Sequence, residues 1–144
     1  MGATNLKSNI AELAVATECA KRNWVVCFPY GENTPYDILV DTGEQFLKVQ
    51  VKYVTSKKDV INIPLQSTTG VEYKNTVDAI AAFCPCNNKV YWLDLNTGEF
   101  NDIGTYVRLR LAATKNNQLS GVRFSDNYDF AALVVKEARD VANV

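Results

Sequence analysis

Two β-prone runs separated by one tight turn constrain this chain more than any other feature. Tyr36–Asp41 and Gln45–Val54 flank Asp41-Thr42-Gly43, and such a turn between such runs predicts a β-hairpin. In the second arm the side chains alternate cleanly. Leu47, Val49, Val51 and Tyr53 share one face, while Phe46, Lys48, Gln50, Lys52 and Val54 share the other. A hairpin with one apolar face has to be covered, so another layer must pack on it.

The preceding stretch supplies that layer. From about Leu6 to Arg22 the chain is Ala-rich, with Ile10, Leu13, Ala14 and Thr17 at helical spacing. Asn5 or Ser8 suits its start, and Asn23 after Lys21-Arg22 suits its end. Val15, Ala16 and Cys19 make the other side apolar as well, and Glu12 falls on that second side, an unusual place for a carboxylate. Trp24–Phe28 reads as a strand, ended by the turn Pro29–Asn33. Further strands are expected at Val60–Ile63, Val77–Phe83, Lys89–Leu95 and Tyr106–Leu111. The middle two form a pair across Cys84–Asn88, and the last carries Arg108 and Arg110 on one face. Ser67–Gly70 and Lys115–Gly121 are polar loops, and Asp129–Val141 reads as a closing helix with Phe130, Leu133, Val134 and Val141 on its apolar side. This order predicts a single α/β domain over residues 1–144, a central mixed sheet flanked by helices.

Composition excludes several chemistries. The 144 residues include no histidine, so no Ser-His-Asp or Cys-His couple and no His-bearing metal site can exist. Carboxylates, amides, Lys, Tyr or Cys must carry any catalysis. Fifteen Lys+Arg against 16 Asp+Glu give a net charge of −1, which argues against a basic coat but leaves room for a local basic face. No apolar run approaches the ~20 residues of a membrane span. Met1–Asn9 lacks the build of a signal peptide, so an intracellular, cytoplasmic protein with no membrane partner is expected. Of Cys19, Cys27, Cys84 and Cys86, the last two stand too close together for a zinc knuckle, and four small, mostly buried thiols are expected.

One group of residues converges. Gln50 and Lys52 lie on the same strand face, about 6.5–7 Å apart at the usual rise. Asp37, after Thr34-Pro35-Tyr36 at the start of the first arm, comes beside Gln50 across the hairpin, and Glu12 projects from the helix packed on the sheet. Two acids, an amide oxygen and an ammonium group suit metal-assisted phosphodiester cleavage. Hard oxygen ligands hold Mg2+, which binds phosphate oxygens and acidifies a bound water, while a lysine serves the attacking water and adds positive charge. The same residues also suit plainer roles: an Asp bonding its own turn, the solvated face of an edge strand, and a Glu snorkelling to water.

Pro35-Tyr36-Asp37 followed by Gln50-Val51-Lys52 resembles the core of the PD-(D/E)XK nucleases, with Glu12 matching the acidic residue of their first helix. The closer similarity is to the homing endonucleases encoded in group I introns. Ile10-Ala11-Glu12-Leu13, Tyr36–Val40, Lys48–Lys52, Val77-Asp78-Ala79, Val90-Tyr91-Trp92, and Lys115 through Gly121–Phe124 carry it. The resemblance implies a restriction-endonuclease-like fold and a site-specific, Mg2+-dependent endonuclease acting on double-stranded DNA. It implies 5′-phosphate and 3′-hydroxyl products and the catalytic set Glu12, Asp37, Gln50 and Lys52, with Asp37, Gln50 and Glu12 on the metal. It also implies a homotetramer; one active site per domain already requires at least a dimer for a double-strand break. Gln50 stands where the superfamily normally has Asp or Glu, and the intron-encoded subgroup that the chain resembles is known for this Gln. An amide brings no charge, so metal affinity should be weaker than at a three-acid site.

Lys57, Lys58, Arg108, Arg110, Lys115 and Arg123 are the candidate DNA contacts. Most suit phosphates, while Arg108 and Arg110 also suit base edges and Asn116, Asn117 and Gln118 suit adenine. Tyr73 and Asp78 lie in stretches that resemble the family, without an assigned chemistry. The alternatives are a Holliday-junction resolvase, a repair or restriction nuclease with the same site, or a relative that binds DNA without cutting it.

Overall fold

In the computed structural model, which describes residues 3–31, 33–112 and 120–133, helix α1 (Ala3–Lys21) precedes eight strands. These are β1 (Val25–Cys27), β2 (Ile38–Asp41), β3 (Phe46–Tyr53), β4 (Ser56–Lys57), β5 (Val60–Pro64), β6 (Ala79–Cys84), β7 (Lys89–Asp94) and β8 (Tyr106–Arg110). The expected hairpin is β2–β3, with Ile38 opposite Val49 and Asp41 opposite Phe46. Its turn is closed by Thr42 N–H donating to the Gln45 carbonyl at 3.0 Å. Gly43 sits at φ 91°, a left-handed conformation that favours glycine.

The central sheet runs β1-β2-β3-β6-β7. Only β3 and β6 are parallel, Val49 to Tyr53 running beside Ala79 to Phe83. A parallel pair needs a long crossover, and here it carries β4, β5 and a 3-10 turn at Tyr73–Asn75. Asp78 pins the end of that crossover. Its carboxylate accepts Lys48 N–H at 2.8 Å and Asn96 Nδ2 at 3.2 Å, and its own N–H donates to the Lys48 carbonyl at 2.8 Å.

Both faces of the sheet are covered. Leu47, Val49, Val51 and Tyr53 of β3 join Ala79, Ala81, Ala11, Val15 and Cys19 in one core beneath α1. Ile80, Ala82, Tyr91 and Leu93 face the other way, against Ile61, Ile63, Val107 and Leu109 of a second sheet. A central strand covered on both sides has no need of alternation, which is why Ala-rich β6 is buried throughout. Ala79 and Ala81 also let the helix lie close.

Of the two apolar sides readable on the helix, the one carrying Val15 and Cys19 meets the sheet. Ala11, Val15 and Cys19, spaced four apart, are buried, whereas Ile10 and Leu13 are exposed. Small side chains fit against the alanines of β6, and the larger ones are turned outward. The helix starts at Ala3, so Asn5 and Ser8 lie inside it. Asn23 does end it, at φ 63°, with Asn23 N–H on the Ala20 carbonyl and Trp24 N–H on that of Cys19, the paired bonds of a Schellman cap.

Two further expectations are corrected. β8 belongs not to the central sheet but to a separate three-stranded sheet, β4-β5-β8. Its formation rests on Ser56–Lys57 folding back through Lys58 and Asp59, both at positive φ. The cysteines are not four buried thiols. Cys19 is buried and Cys27 exposed, while Cys84 and Cys86 are joined in a disulfide, their Cα atoms 5.4 Å apart across Pro85. Of the closing helix, Phe130–Leu133 is described and the rest lies outside the described residues, as do Lys115, Asn116, Asn117 and Gln118. Among the described residues no helix is long and apolar enough to cross a membrane.

Candidate active site

Asp37 is positioned by the hairpin ladder. Its N–H donates to the Val49 carbonyl at 3.0 Å, extending the pairing one residue past β2. The side chain thereby reaches β3. Oδ2 accepts Val51 N–H at 2.8 Å and Gln50 Nε2 at 2.9 Å, so the carboxylate caps the ladder where β2 begins. Gln50 spends its amide nitrogen on Asp37, which leaves its Oε1 free to act as a ligand.

Lys52 lies two residues along, on the same face as Gln50 and opposite the helix-side cluster of Val49 and Val51. Its Nζ donates to Tyr73 Oη at 2.6 Å. Glu12 is half-buried on α1, next in sequence to the buried Ala11. It feels the charge of Asp37. Burial lifts the Glu12 carboxyl above the usual range, and the Asp37 charge lifts it further. Burial also raises Asp37, against the opposing pull of Val51 N–H and the Lys52 charge. Asp37 and Gln50 are thus in contact, Lys52 lies on the same strand face with its charge acting on Asp37, and Glu12 is linked to the group only through the charge of Asp37.

These raised values fix the sign of two pH effects. Any role needing ionised carboxylates is lost on acidification sooner than ordinary carboxylates would allow. Stability runs the other way, because the folded chain holds these protons more tightly than the unfolded one. That contribution is complete below the unfolded pKa and is lost as pH rises through the folded pKa. With chelator present, raising the pH from mildly acidic to neutral should therefore destabilise the wild type more than Glu12→Gln. Thermal melts of the two proteins across that window measure the difference.

The donor set has a definite character. Among the described residues no group of three or more His, Cys, Asp or Glu converges on a metal position. What the site offers is two carboxylates and the amide of Gln50, whose nitrogen faces Asp37. Their like charges already oppose each other, and the absence of soft donors fits a hard, oxygen-seeking divalent cation that retains several waters.

The expected DNA contacts are spread over the second sheet. Lys57 and Lys58 are exposed at the β4–β5 turn, and Arg108 is exposed on β8, while Arg110 is half-buried. Arg123 is engaged within the chain, its Nε 3.5 Å from Glu99 and its guanidinium 5.5 Å from the Phe100 ring centroid. Asn62, which the sequence reading passed over, is exposed and directly opposite Arg108. The pattern Val60-Ile61-Asn62-Ile63 was its signal, one polar residue alternating within an apolar strand.

A mixed sheet with an acid at a hairpin end, a Gln-x-Lys on the partner strand and an acid from the first helix defines a class of nuclease. The family model described as PD-(D/E)XK endonuclease matches residues 3–131, and the chain belongs to that family. Its members generally use divalent metal ions. In fold the chain is similar to the solved bacterial homing endonuclease I-Ssp6803I, with 23% identity, full coverage (100%) of both chains and a TM-score of 0.67. Archaeoglobus fulgidus Hjc, a Holliday junction resolvase from an archaeal hyperthermophile, matches 88% of this chain and 98% of its own at 11% identity and a TM-score of 0.48. No curated protein matches the sequence.

Proposed function

We propose that the protein is a homing endonuclease, cutting double-stranded DNA at one long site with Mg2+ and leaving 5′-phosphate and 3′-hydroxyl ends. The observation that carries this reading is the junction of Asp37, Gln50 and Lys52 at one end of the hairpin, with Glu12 beside it. Membership of the PD-(D/E)XK family supports it, and the fold shared with a bacterial homing endonuclease is consistent with it. Asp37, Glu12 and the Gln50 Oε1 would hold the cation. Bound there, it supplies positive charge to a phosphate and lowers the pKa of a coordinated water.

The chain's own residues do the rest. Gln50 Nε2 holds Asp37 Oδ2 in place, and Val51 N–H fixes the same oxygen. Lys52 directs its remaining N–H groups toward the attacking water and the phosphate oxygens, where charge grows in the transition state. The water gives up a proton to solvent as its oxygen bonds to phosphorus, the bond from phosphorus to the 3′ oxygen breaks, and that oxygen takes a proton from solvent to leave as a hydroxyl. Each domain holds one such site, so cutting both strands takes at least a dimer, and a homotetramer would let so small a chain span a long target.

The exposed face of the second sheet supplies the DNA contacts in this reading. Arg108 and Asn62 stand side by side, and their side chains suit guanine and adenine edges respectively. Arg108→Ala should cost about 1–3 kcal/mol of binding to the preferred site and relax selectivity at one base position. Competition binding against a set of single-base variants of the site reads both effects.

The deciding experiment is cleavage of a randomised duplex library in Mg2+. Discrete ends at a recoverable long motif support the homing endonuclease. Intact duplexes together with cut four-way junctions would point to a resolvase, and no cleavage of either to a relative that binds without cutting.

A further inference from the structure

We propose that Tyr73 is the positioning residue for Lys52, a role that rests on the nuclease reading of the site. Tyr73 belongs to the polar stretch Val71-Glu72-Tyr73-Lys74-Asn75, where an aromatic residue would ordinarily lie on the surface, yet it is buried. Its backbone is tied down at several points. Tyr73 N–H donates to the Leu65 carbonyl at 2.9 Å, and its carbonyl accepts Thr76 N–H at 2.9 Å and Val77 N–H at 2.8 Å. The ring packs in the core with Leu65 and Val77. Out of this rigid mount the hydroxyl meets Lys52 Nζ at 2.6 Å.

The hydroxyl carries the contact, not the π-face. Nζ lies 4.8 Å from the ring centroid. A nitrogen at that distance that is also bonded to the phenol oxygen sits beside the oxygen lone pairs, outside the ring, where the quadrupole offers little attraction. The consequence for Lys52 is entropic and directional. A free lysine ammonium samples many rotamers, whereas one tied at Oη has a single direction left for its other N–H groups. The crossover between β3 and β6 thus delivers, 21 residues after Lys52, the group that aims it.

Tyr73→Phe keeps the ring in the core and removes only the oxygen. Under single-turnover conditions in Mg2+, it should cleave about 10–100-fold more slowly, the usual cost of losing an outer partner of a site residue. DNA affinity and melting temperature should stay near those of the wild type. In a Lys52→Ala background the same substitution should cost nothing more, because its effect passes through Lys52. A purely structural role would slow both backgrounds alike, and an unchanged cleavage rate in Tyr73→Phe would overturn the proposal.

A second measurement does not depend on cleavage. Acylation of Lys52 by an amine-directed reagent, followed by mass spectrometry on the metal-free protein, should be several-fold faster in Tyr73→Phe than in the wild type. Equal rates would overturn the contact itself. If the wild type cuts no DNA while Lys52 is released in Tyr73→Phe, the nuclease reading fails and the positioning contact stands.

Discussion

Under the proposed function, Lys52→Ala should lower the rate of Mg2+-dependent cleavage by about 10²–10⁴-fold, the range expected when a positioned proton-handling group is removed. Asp37→Ala should lower it at least as far, because in that reading it removes both a charged ligand and the anchor of Gln50. The two variants differ in what else they do. Lys52 donates only its ammonium to Tyr73, so its loss leaves the hairpin intact. Asp37 accepts both Val51 N–H and Gln50 Nε2, so Ala there orphans two donors and costs about 1–3 kcal/mol of stability. Asp37→Asn retains an acceptor for Val51 N–H and separates catalysis from folding. Single-turnover cleavage of the recovered site, with binding followed by fluorescence anisotropy and folding by thermal melts, checks all three. Wild-type cleavage by Lys52→Ala would remove the lysine from the mechanism.

Gln50→Glu should trade stability for metal affinity. In the native chain the amide nitrogen donates to Asp37 at 2.9 Å, so Gln50 meets that carboxylate as a neutral donor. A glutamate there removes that donor and sets a third carboxylate against Asp37, whose carboxyl is already raised by burial. In chelator the variant should lose about 1–3 kcal/mol, read as a lower melting temperature. Added Mg2+ should stabilise it more than it stabilises the wild type, because a third charged oxygen strengthens the site and binding to the folded state raises stability. Melting curves of both proteins across a Mg2+ titration measure the gap and its closure. Coincident melts in chelator would show that Gln50 does not relieve repulsion in the metal-free site.

Local pattern reached most of the candidate site. The alternation of β3 put Gln50 and Lys52 on one face, the hairpin register put Asp37 beside Gln50, and these relations are short-range. Glu12 was legible because a carboxylate on an apolar side of a helix is conspicuous. Tyr73 was not. Its contact with Lys52 exists only because the β3–β6 crossover turns back over the sheet, and no periodicity spans that distance. Asn62 and Arg108 became neighbours for the same reason, since β5 and β8 are separated by the whole β6–β7 hairpin.

The helix shows the limit in another form. Two apolar stripes were readable on α1, and hydrophobicity favoured neither. The choice fell to Ala11, Val15 and Cys19 because the facing strand offers Ala79 and Ala81, a surface that rewards small side chains with close approach. The amino-acid sequence by itself determined the helix, the hairpin, its register and the residues at its candidate-site end, all set by period and turn chemistry over a few residues. Tertiary structure alone decided the second sheet, the buried side of the helix and the partner of Lys52. Those depend on which surfaces can pack together, and that is a property of pairs of elements rather than of either one.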